Sequence, residues 1–192
     1  MAPAARRKAE LRAELLRRRN GLAARIGTEA SAAVAELAVP HLGPPQSGAV
    51  AGYWPLAGEL DPRPLMERLD ALGYDLALPR IVGRDRPLAF HAWSPGAPLV
   101  EGPLKIMQPP ADAPTVRPAT LLVPVVGFDG GGYRLGHGGG YYDRTLGALR
   151  ADGRPVLAVG LAFAAQRIEA LPVEPFDAPL DLLVTEHGVG AF

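Results

Sequence analysis

The sequence predicts an α/β fold, a three-layer sandwich in which helices cover both faces of a largely parallel sheet. Short apolar runs typical of buried strands alternate along the chain with longer segments of helical pattern. A glycine-rich stretch, residues 127–144, directly follows one apolar run and precedes a helical pattern. Such strand-to-helix turns are where α/β proteins bind ligands. The 192 residues suffice for one well-buried domain, so we expect a single domain over residues 1–192.

Composition excludes several classes of function. With 20 basic and 20 acidic residues the formal net charge is zero, so nothing global indicates nucleic acid or an acidic membrane as a partner. Cysteine is absent, which excludes disulfides, thiol catalysis and zinc–thiolate sites. The apolar runs are shorter than the roughly 18 residues that cross a bilayer, and the basic N-terminus lacks the apolar core of a signal peptide. We therefore expect a cytoplasmic protein, and no obligate protein partner is evident.

The N-terminal part, residues 1–25, is predicted to form a basic helix. Residues 5–22 are strong helix formers, and a second helix is expected over residues 28–37 with Thr28 as its N-cap. On the charge run alone, a solvated helix is the ordinary interpretation. Lys8 and Arg12, however, are four residues apart and share one helix face. The basic side chains of the first segment are Arg6, Arg7, Lys8, Arg12, Arg17, Arg18 and Arg19.

The next segment combines a strand, a loop with a carboxylate, and a helix. Residues 48–54 form an apolar run that suits a buried strand, and residues 55–60 indicate a loop. Asp61, followed by proline, predicts the start of a helix that ends at Gly73. This order places polar groups at the carboxyl edge of a sheet, which makes Glu59 a candidate site residue. The alternative, from the sequence alone, is an exposed surface glutamate.

The remaining elements continue the alternation. Residues 94–118 are rich in proline and glycine without either periodicity, so we expect an irregular segment and a candidate cover for the site. His41, His91 and His187 have no carboxylate or second histidine at metal-ligand spacing, and we interpret them as structural or surface residues. A helix is predicted over residues 141–150, and strands are predicted over residues 75–79, 87–93, 121–126, 155–163 and 180–184.

The glycine-rich stretch carries its own functional groups. Eight of its eighteen residues are glycine, which permits positive φ and lets a phosphate approach backbone N–H groups. It lacks the lysine and hydroxyl residue of a P-loop. Arg134 offers a fork of donors for phosphate oxygens. Tyr141 and Tyr142 offer flat faces and hydroxyls, and Asp143 offers the hard oxygen that Mg²⁺ prefers. A flexible surface loop is the alternative interpretation.

These residues resemble the signature of a known family. The run from Arg134 to Arg144, preceded by Gly127-Phe128-Asp129, is similar to the signature of the 5-formyltetrahydrofolate cyclo-ligases, also called 5,10-methenyltetrahydrofolate synthetases. The similarity extends over nearly the whole chain. The further matching segments, in the family's order, are residues 8–12, 53–61, 159–163, 166, 171–172, 177 and 181–186.

The resemblance implies ATP-dependent cyclisation of 5-formyltetrahydrofolate to 5,10-methenyltetrahydrofolate, with release of ADP and phosphate after phosphorylation of the formyl oxygen. It implies Mg²⁺ as cofactor, with Asp143 as its ligand, and Glu59 as an acceptor for donors of the pterin ring. The implied ATP contacts are Lys8, Arg12, Arg134, Leu135, Gly136, His137, Gly138, Gly139, Gly140, Tyr141 and Tyr142. The implied folate contacts are Trp54, Glu59, His137, Gly138, Gly139, Gly140 and Tyr141.

One departure from the family pattern concerns the glycine-rich stretch. Some members carry cations where this chain has His137 and Gly139, so the supply of cations falls more heavily on Lys8, Arg12 and Arg134. His137 itself either contacts a ligand or is merely exposed. Two alternatives to a cyclo-ligase remain. One is a nucleotide-binding regulatory or interaction module that has lost the reaction, and the other is a phosphosugar-type isomerase that needs no ATP.

Overall fold

The computed structural model describes residues 3–192. Within that range the α-helices are α1 (Pro3–Ala38), α2 (Arg63–Ala71) and α3 (Tyr141–Ala151). The strands are β1 (Val50–Ala51), β2 (Leu76–Arg80), β3 (Ala89–Ala92), β4 (Val100–Glu101), β5 (Met107–Gln108), β6 (Thr120–Pro124), β7 (Gly127–Phe128), β8 (Arg134–Leu135), β9 (Leu157–Leu161), β10 (Leu182–Thr185) and β11 (Gly188–Ala191). The predicted alternation of strands and helices is confirmed.

Seven strands form one sheet in the order β11-β10-β9-β6-β1-β2-β3. The five central strands are parallel, because β1 pairs in parallel with β2 and β6, and β9 pairs in parallel with β6 and β10. The edge strands β3 and β11 run antiparallel to their neighbours. Two small antiparallel hairpins, β4–β5 and β7–β8, lie outside this sheet. The largely parallel sheet predicted from the sequence is confirmed.

Both faces of the sheet are apolar and covered. Successive residues of a strand point to opposite faces, and neighbouring residues of the central strands accordingly join different cores. Val50 and Leu122 belong to the core that α1 and α2 cover. Ala51 and Leu121 belong to the core on the other face, which includes Leu146 of α3. The architecture is therefore a three-layer α/β sandwich.

Helix α1 is continuous from Pro3 to Ala38, so the prediction of two separate helices is wrong. Gly21 and Gly27 lie inside it, and a glycine in a helix interior costs about 1 kcal/mol relative to alanine. Packing outweighs this cost, since residues such as Val34 are buried in the core. The predicted N-cap Thr28 lies within the helix. Despite the length of α1, no helix in residues 3–192 is apolar enough over a sufficient length to span a membrane.

The other differences from prediction concern short strands. Of the predicted strand 48–54, only β1 is a strand in the structure. The chain leaves the sheet after the Gly52 N–H donates a hydrogen bond to the carbonyl oxygen of Ala77. Residues 94–118 are largely irregular as predicted, but contain the β4–β5 hairpin. The β7–β8 hairpin lies inside the glycine-rich stretch, which is therefore not one simple turn. Strand β11 was not predicted, because Gly188-Val189-Gly190-Ala191 lacks the alternation of polar and apolar residues that indicates a strand.

Between β1 and β6 the direction in which successive strands are added to the sheet reverses. From β1 the chain passes through α2 on one face to β2, and from β6 it passes through α3 on the other face to β9. The two connections diverge and leave a crevice at the carboxyl ends of β1 and β6, which is where open α/β sheets bind ligands. The segment after β1 carries Glu59, and the segment after β6 is the glycine-rich stretch.

Candidate functional site

A cavity of about 470 Å³ opens in this crevice. Its walls come from the N-terminal half of α1, the segment after β1, the β4–β5 hairpin, the glycine-rich stretch and residues 174–177. The fold thus brings together side chains from distant parts of the chain. All of the site residues predicted from the sequence line this cavity: Lys8, Arg12, Trp54, Glu59, Arg134, Leu135, Gly136, His137, Gly138, Gly139, Gly140, Tyr141, Tyr142 and Asp143.

The glycine-rich stretch ends at the N-terminus of α3. Gly138 and Gly140 adopt positive φ values of 97° and 65°, which residues with a Cβ rarely adopt. Gly140 is the N-cap of α3 and has no side chain with which to cap the first turn. The first N–H groups of an α-helix have no partner within the helix, and together with the helix dipole they favour a bound anion. This end of the cavity therefore suits phosphate.

Two cations of α1 lie beside this stretch. Arg12 Nε donates a hydrogen bond of 2.7 Å to the carbonyl oxygen of Gly136, and burial lowers the pKa of Arg12. Lys8 Nζ lies 2.6 Å from Asp177 Oδ2 and 2.8 Å from Glu174 Oε2. Burial acts to lower the pKa of Lys8, but the two carboxylates outweigh it and the pKa is raised. The interpretation of α1 as a solvated basic helix is therefore wrong for both residues.

Arg134 and Asp143 form an ion pair at the base of the glycine-rich stretch. Arg134 Nη2 lies 2.9 Å from Asp143 Oδ1, and Nη1 donates to the carbonyl oxygen of Ala178. Only 3% of the Arg134 side chain is exposed, and burial lowers its pKa. The same Asp143 oxygen accepts a hydrogen bond of 3.2 Å from the Ala178 N–H. Arg134 thus lines the cavity as part of a buried network, and not as the open fork of donors expected from the sequence.

Glu59 lies at the centre of a second polar cluster. Its side chain is 4% exposed, so the alternative of an exposed surface glutamate is wrong. Oε2 accepts a hydrogen bond of 2.8 Å from the Leu56 N–H, while Oε1 lies 3.4 Å from Arg19 Nη1 and 3.1 Å from His137 Nε2. His137 is 41% exposed and joins this cluster from the glycine-rich stretch. The two segments that flank the crevice therefore meet at Glu59.

Aromatic side chains line the cavity at the end of β1. Trp54 lies edge to face against Trp93, with ring centroids 6.2 Å apart. Tyr53 is buried and donates a hydrogen bond of 2.6 Å to the carbonyl oxygen of Leu60. Burial raises the pKa of Tyr53 and of Tyr142, so both phenols are neutral at physiological pH. Flat apolar surface with a few fixed polar groups suits a planar ring system.

Asp143 lines the cavity and could contribute a carboxylate oxygen to a metal site. Within residues 3–192, no group of three or more acidic, histidine or cysteine side chains forms a metal site on its own. Mg²⁺ commonly takes one or two carboxylates and completes its coordination with substrate phosphates and water. Asp143 Oδ2 accepts no hydrogen bond from the part of the chain that the structure describes, because its partners bind Oδ1. One carboxylate oxygen in the first turn of α3 is therefore available to a ligand.

The chain matches the model of the 5-formyltetrahydrofolate cyclo-ligase family over residues 4–186. The chain belongs to this family. It is 39% identical over 148 residues to the 5-formyltetrahydrofolate cyclo-ligase of Escherichia coli K12, a match that covers 73% of this chain and 79% of the relative. It is 31% identical over 184 residues to the cyclo-ligase of Haemophilus influenzae, covering 93% of this chain and 97% of the relative.

Solved structures have the same fold as this cyclo-ligase family member. The 5,10-methenyltetrahydrofolate synthetase of Aquifex aeolicus superposes with a TM-score of 0.80 at 34% identity, covering 96% of this chain and 92% of that chain. The synthetase of Mycoplasma pneumoniae superposes with a TM-score of 0.72 at 25% identity, covering 93% and 98%. The family resemblance and the α/β sandwich predicted from the sequence are both confirmed.

The structure brings to the cavity and its surroundings further residues for which the sequence predicted no role at the site. Arg19 is one, and a signal for it existed: Arg12, Leu15 and Arg19 recur at helical spacing, so Arg19 shares a face with a buried leucine. Glu174 and Asp177, the partners of Lys8, lie in an irregular segment without periodicity. No pattern in the sequence indicates that these carboxylates meet α1.

The other histidines are structural or surface residues, as predicted. His91 is buried, with Nδ1 2.6 Å from the carbonyl oxygen of Ala113. His41 is exposed, and the side chain of His187 is 74% exposed beside Glu186. All three are absent from the cavity lining in the described chain.

Proposed function

We propose that this chain catalyses the ATP- and Mg²⁺-dependent cyclisation of 5-formyltetrahydrofolate to 5,10-methenyltetrahydrofolate, with release of ADP and phosphate. The observation that carries the proposal is a single cavity whose two ends suit different ligands. One end has cations and the glycine-rich stretch, which suit nucleotide phosphates, and the other has aromatic rings and a buried carboxylate, which suit a pterin. The names of the relatives, cyclo-ligases and methenyltetrahydrofolate synthetases, support the same reaction.

The need for ATP follows from the chemistry of the substrate. A formamide oxygen is a poor leaving group, so the γ-phosphoryl group is first transferred to the formyl oxygen, and its bond to the ADP oxygen breaks. The second folate nitrogen then attacks the activated carbon and releases its proton to solvent, and the carbon–oxygen bond breaks as phosphate leaves. The protein contributes by aligning two anionic ligands and by neutralising charge on the moving phosphoryl group.

Lys8, Arg12 and the glycine-rich stretch would bind the phosphates. The Cζ atom of Arg12 lies only 3.3 Å from the position that a Cβ at residue 138 would take, so the guanidinium lies against the loop backbone. A phosphate on the loop N–H groups is therefore within reach of Arg12. Lys8 would exchange one of its carboxylate partners for a phosphate oxygen, and Arg134 would add positive charge from beneath. Backbone groups of Leu135 to Tyr142 would complete this wall.

The folate would occupy the end of the cavity near β1. Trp54 offers a ring face to the pterin, and Glu59 offers an acceptor to the pterin N–H donors. His137, the adjoining glycines 138–140 and Tyr141 would contact the folate from the glycine-rich stretch. Because Glu59 and His137 are already in contact, the folate would bind where the two segments meet.

Asp143 would hold Mg²⁺ through Oδ2, together with nucleotide phosphate oxygens. When bound, the ion would neutralise phosphate charge and assist departure of ADP. The protein groups around it have separate tasks. Arg134 orients the Asp143 carboxylate through Oδ1, and the Ala178 N–H fixes the same oxygen, so that Oδ2 faces away from both contacts.

An assay with purified protein tests the proposal. The protein should convert 5-formyltetrahydrofolate into a product with the near-ultraviolet absorbance of methenyltetrahydrofolate, and conversion should require both ATP and Mg²⁺. ADP and phosphate should appear in equal amounts with the product. Turnover without ATP would indicate an isomerase-type reaction, and nucleotide binding without turnover would indicate a binding module.

A further inference from the structure

Arg19 is the buried member of a run of three arginines in α1. Arg17 and Arg18 are exposed, whereas 1% of the Arg19 side chain is exposed. Arg19 lies four residues after Leu15, which packs in the core beneath the glycine-rich stretch, so helical geometry places both on one face. Within residues 3–192, Arg19 is not among the residues that line the cavity. It lies behind the cavity wall, in contact with residues that form it.

The guanidinium of Arg19 contacts both segments that flank the crevice. Nη1 lies 3.4 Å from Glu59 Oε1, and Nη2 lies 3.5 Å from the carbonyl oxygen of Ala57. Both nitrogens lie 3.4 Å from His137 Nε2. Nε is buried without a hydrogen-bond partner among the described residues. These contacts are long for charge-assisted hydrogen bonds and one donor is unsatisfied, which is not the arrangement that stability alone favours.

We propose that Arg19 is a positioning residue for the pterin end of the substrate and acts through Glu59. The inference rests on the proposed function, which assigns Glu59 to the pterin donors. Arg19 compensates the buried negative charge of Glu59 and holds Oε1 in place. Through His137 it also fixes the distance between the carboxylate and the glycine-rich stretch. Arg19 itself does not touch the substrate.

The effect of losing Arg19 follows from what remains around Glu59. Without the guanidinium, the carboxylate is held by the Leu56 N–H and His137. A buried carboxylate without a compensating cation is unfavourable, so it turns toward solvent. This change leaves the pterin without an acceptor at the correct position. The nucleotide end of the cavity, which depends on Lys8 and Arg12, keeps its contacts.

Binding measurements with Arg19→Met test this inference, with Arg17→Met as the matched control from the same run. The Kd for 5-formyltetrahydrofolate should rise about tenfold or more in Arg19→Met, the order of loss expected for a contact to a charged group. The Kd for a non-hydrolysable ATP analogue should change less than about twofold, and Arg17→Met should change neither. Unchanged folate binding in a folded Arg19→Met protein would overturn the inference.

A double-mutant cycle separates positioning from a general structural effect. If Arg19 acts through Glu59, adding Arg19→Met to Glu59→Gln should weaken folate binding little further. Additive losses would contradict the inference. Arg19→Lys keeps the positive charge and the fold, but the lysine ammonium contacts fewer partners than the guanidinium does. Its folate Kd should therefore lie between those of wild type and Arg19→Met. A folate Kd equal to that of wild type would overturn the positioning role of Arg19. Wild-type protein that binds no 5-formyltetrahydrofolate would contradict the proposed function instead.

Discussion

Arg12 Nε and the carbonyl oxygen of Gly136 are 2.7 Å apart, although 124 residues separate them in the chain. This hydrogen bond holds α1 against the glycine-rich stretch. One turn earlier, Lys8 is held by Glu174 and Asp177. The end of the cavity that we propose for the nucleotide is therefore assembled by contacts between protein groups, which lowers the ordering cost when a ligand binds.

Replacing Lys8 by methionine is expected to weaken nucleotide binding. A charge-assisted contact contributes about 1.5–3 kcal/mol, so the Kd for a non-hydrolysable ATP analogue should rise about tenfold or more. The matched control is Arg6→Met, because Arg6 is on the same helix but its side chain is 77% exposed and pairs only with Glu10 among the described residues. Equal affinity of Lys8→Met and wild type would show that Lys8 does not contact the nucleotide and only joins α1 to Glu174 and Asp177.

Replacing Asp143 by asparagine should abolish most turnover while preserving the fold. Asparagine keeps one oxygen for Arg134 and the Ala178 N–H, so the loss in free energy of unfolding should be about 1–3 kcal/mol. The metal, however, loses a charged ligand, and kcat should fall on the order of a hundredfold or more. Turnover at saturating Mg²⁺ and ATP should be measured beside thermal melting. Near-normal turnover would show that the metal lies elsewhere.

Replacing Glu59 by glutamine should impair folate binding specifically. The change preserves size but places an amide donor next to the Leu56 N–H or the Arg19 guanidinium, both of which are donors. The Kd for 5-formyltetrahydrofolate should rise by a factor that corresponds to about 1–3 kcal/mol. Separate titrations with the folate and with an ATP analogue provide the comparison. Equal weakening of both ligands would indicate general loss of structure.

Two glycine substitutions in the same stretch should differ in stability. Gly138 has a φ of 97°, and a Cβ there would lie 3.3 Å from Arg12 Cζ, so Gly138→Ala should lower the free energy of unfolding by about 1–3 kcal/mol. Gly136 has ordinary φ, and a Cβ there would meet nothing within 4 Å in the described structure. Urea unfolding should therefore leave Gly136→Ala close to wild type. A lower free energy of unfolding for Gly136→Ala than for Gly138→Ala would contradict the loop geometry.

Alkaline pH should destabilise the fold through Tyr53 and Tyr142. Burial, with Glu59 nearby, raises the pKa of both phenols above the ordinary value of 10.0. The unfolded chain releases these protons at lower pH, so the contribution to stability is complete below the ordinary pKa and is lost as pH rises through the folded pKa. Tm should fall less steeply across this range in Tyr142→Phe than in wild type. If phenolate absorbance showed that all five tyrosines ionise near the ordinary pKa of 10.0 while the protein is still folded, the prediction would be contradicted.

Much of the fold could be predicted because both faces of the sheet are covered. Buried strands such as β6 and β9 then appear as continuous apolar runs, which are easy to find. The break near Gly27 in the predicted helices was wrong because local propensity was outweighed by packing against the sheet. The bounds of the two-residue strand β1 could not be predicted from the sequence, because the strand ends where the chain stops pairing with β2 and β6.

The sequence predicted residues that line the cavity, but not the contacts that these residues make. The strand-to-helix order and the family resemblance pointed to segments on both sides of the crevice. The partner of each charged residue depends instead on how α1 lies across the sheet. The pairings of Lys8 with Asp177 and of Arg19 with Glu59 join segments whose distance in space the sequence does not state.

The continuity of α1 restricts how this chain can change in length. An α-helix advances about 1.5 Å and turns about 100° per residue, so Lys8 and Arg19 are separated by about 16 Å along a common axis. Inserting or deleting one residue between them would rotate one cation about 100° out of phase with the cavity while the other kept its place. Substitutions can be accommodated locally in this helix, but a change in length keeps the two cations on one face only when it is close to a whole number of turns, as with about seven or eleven residues.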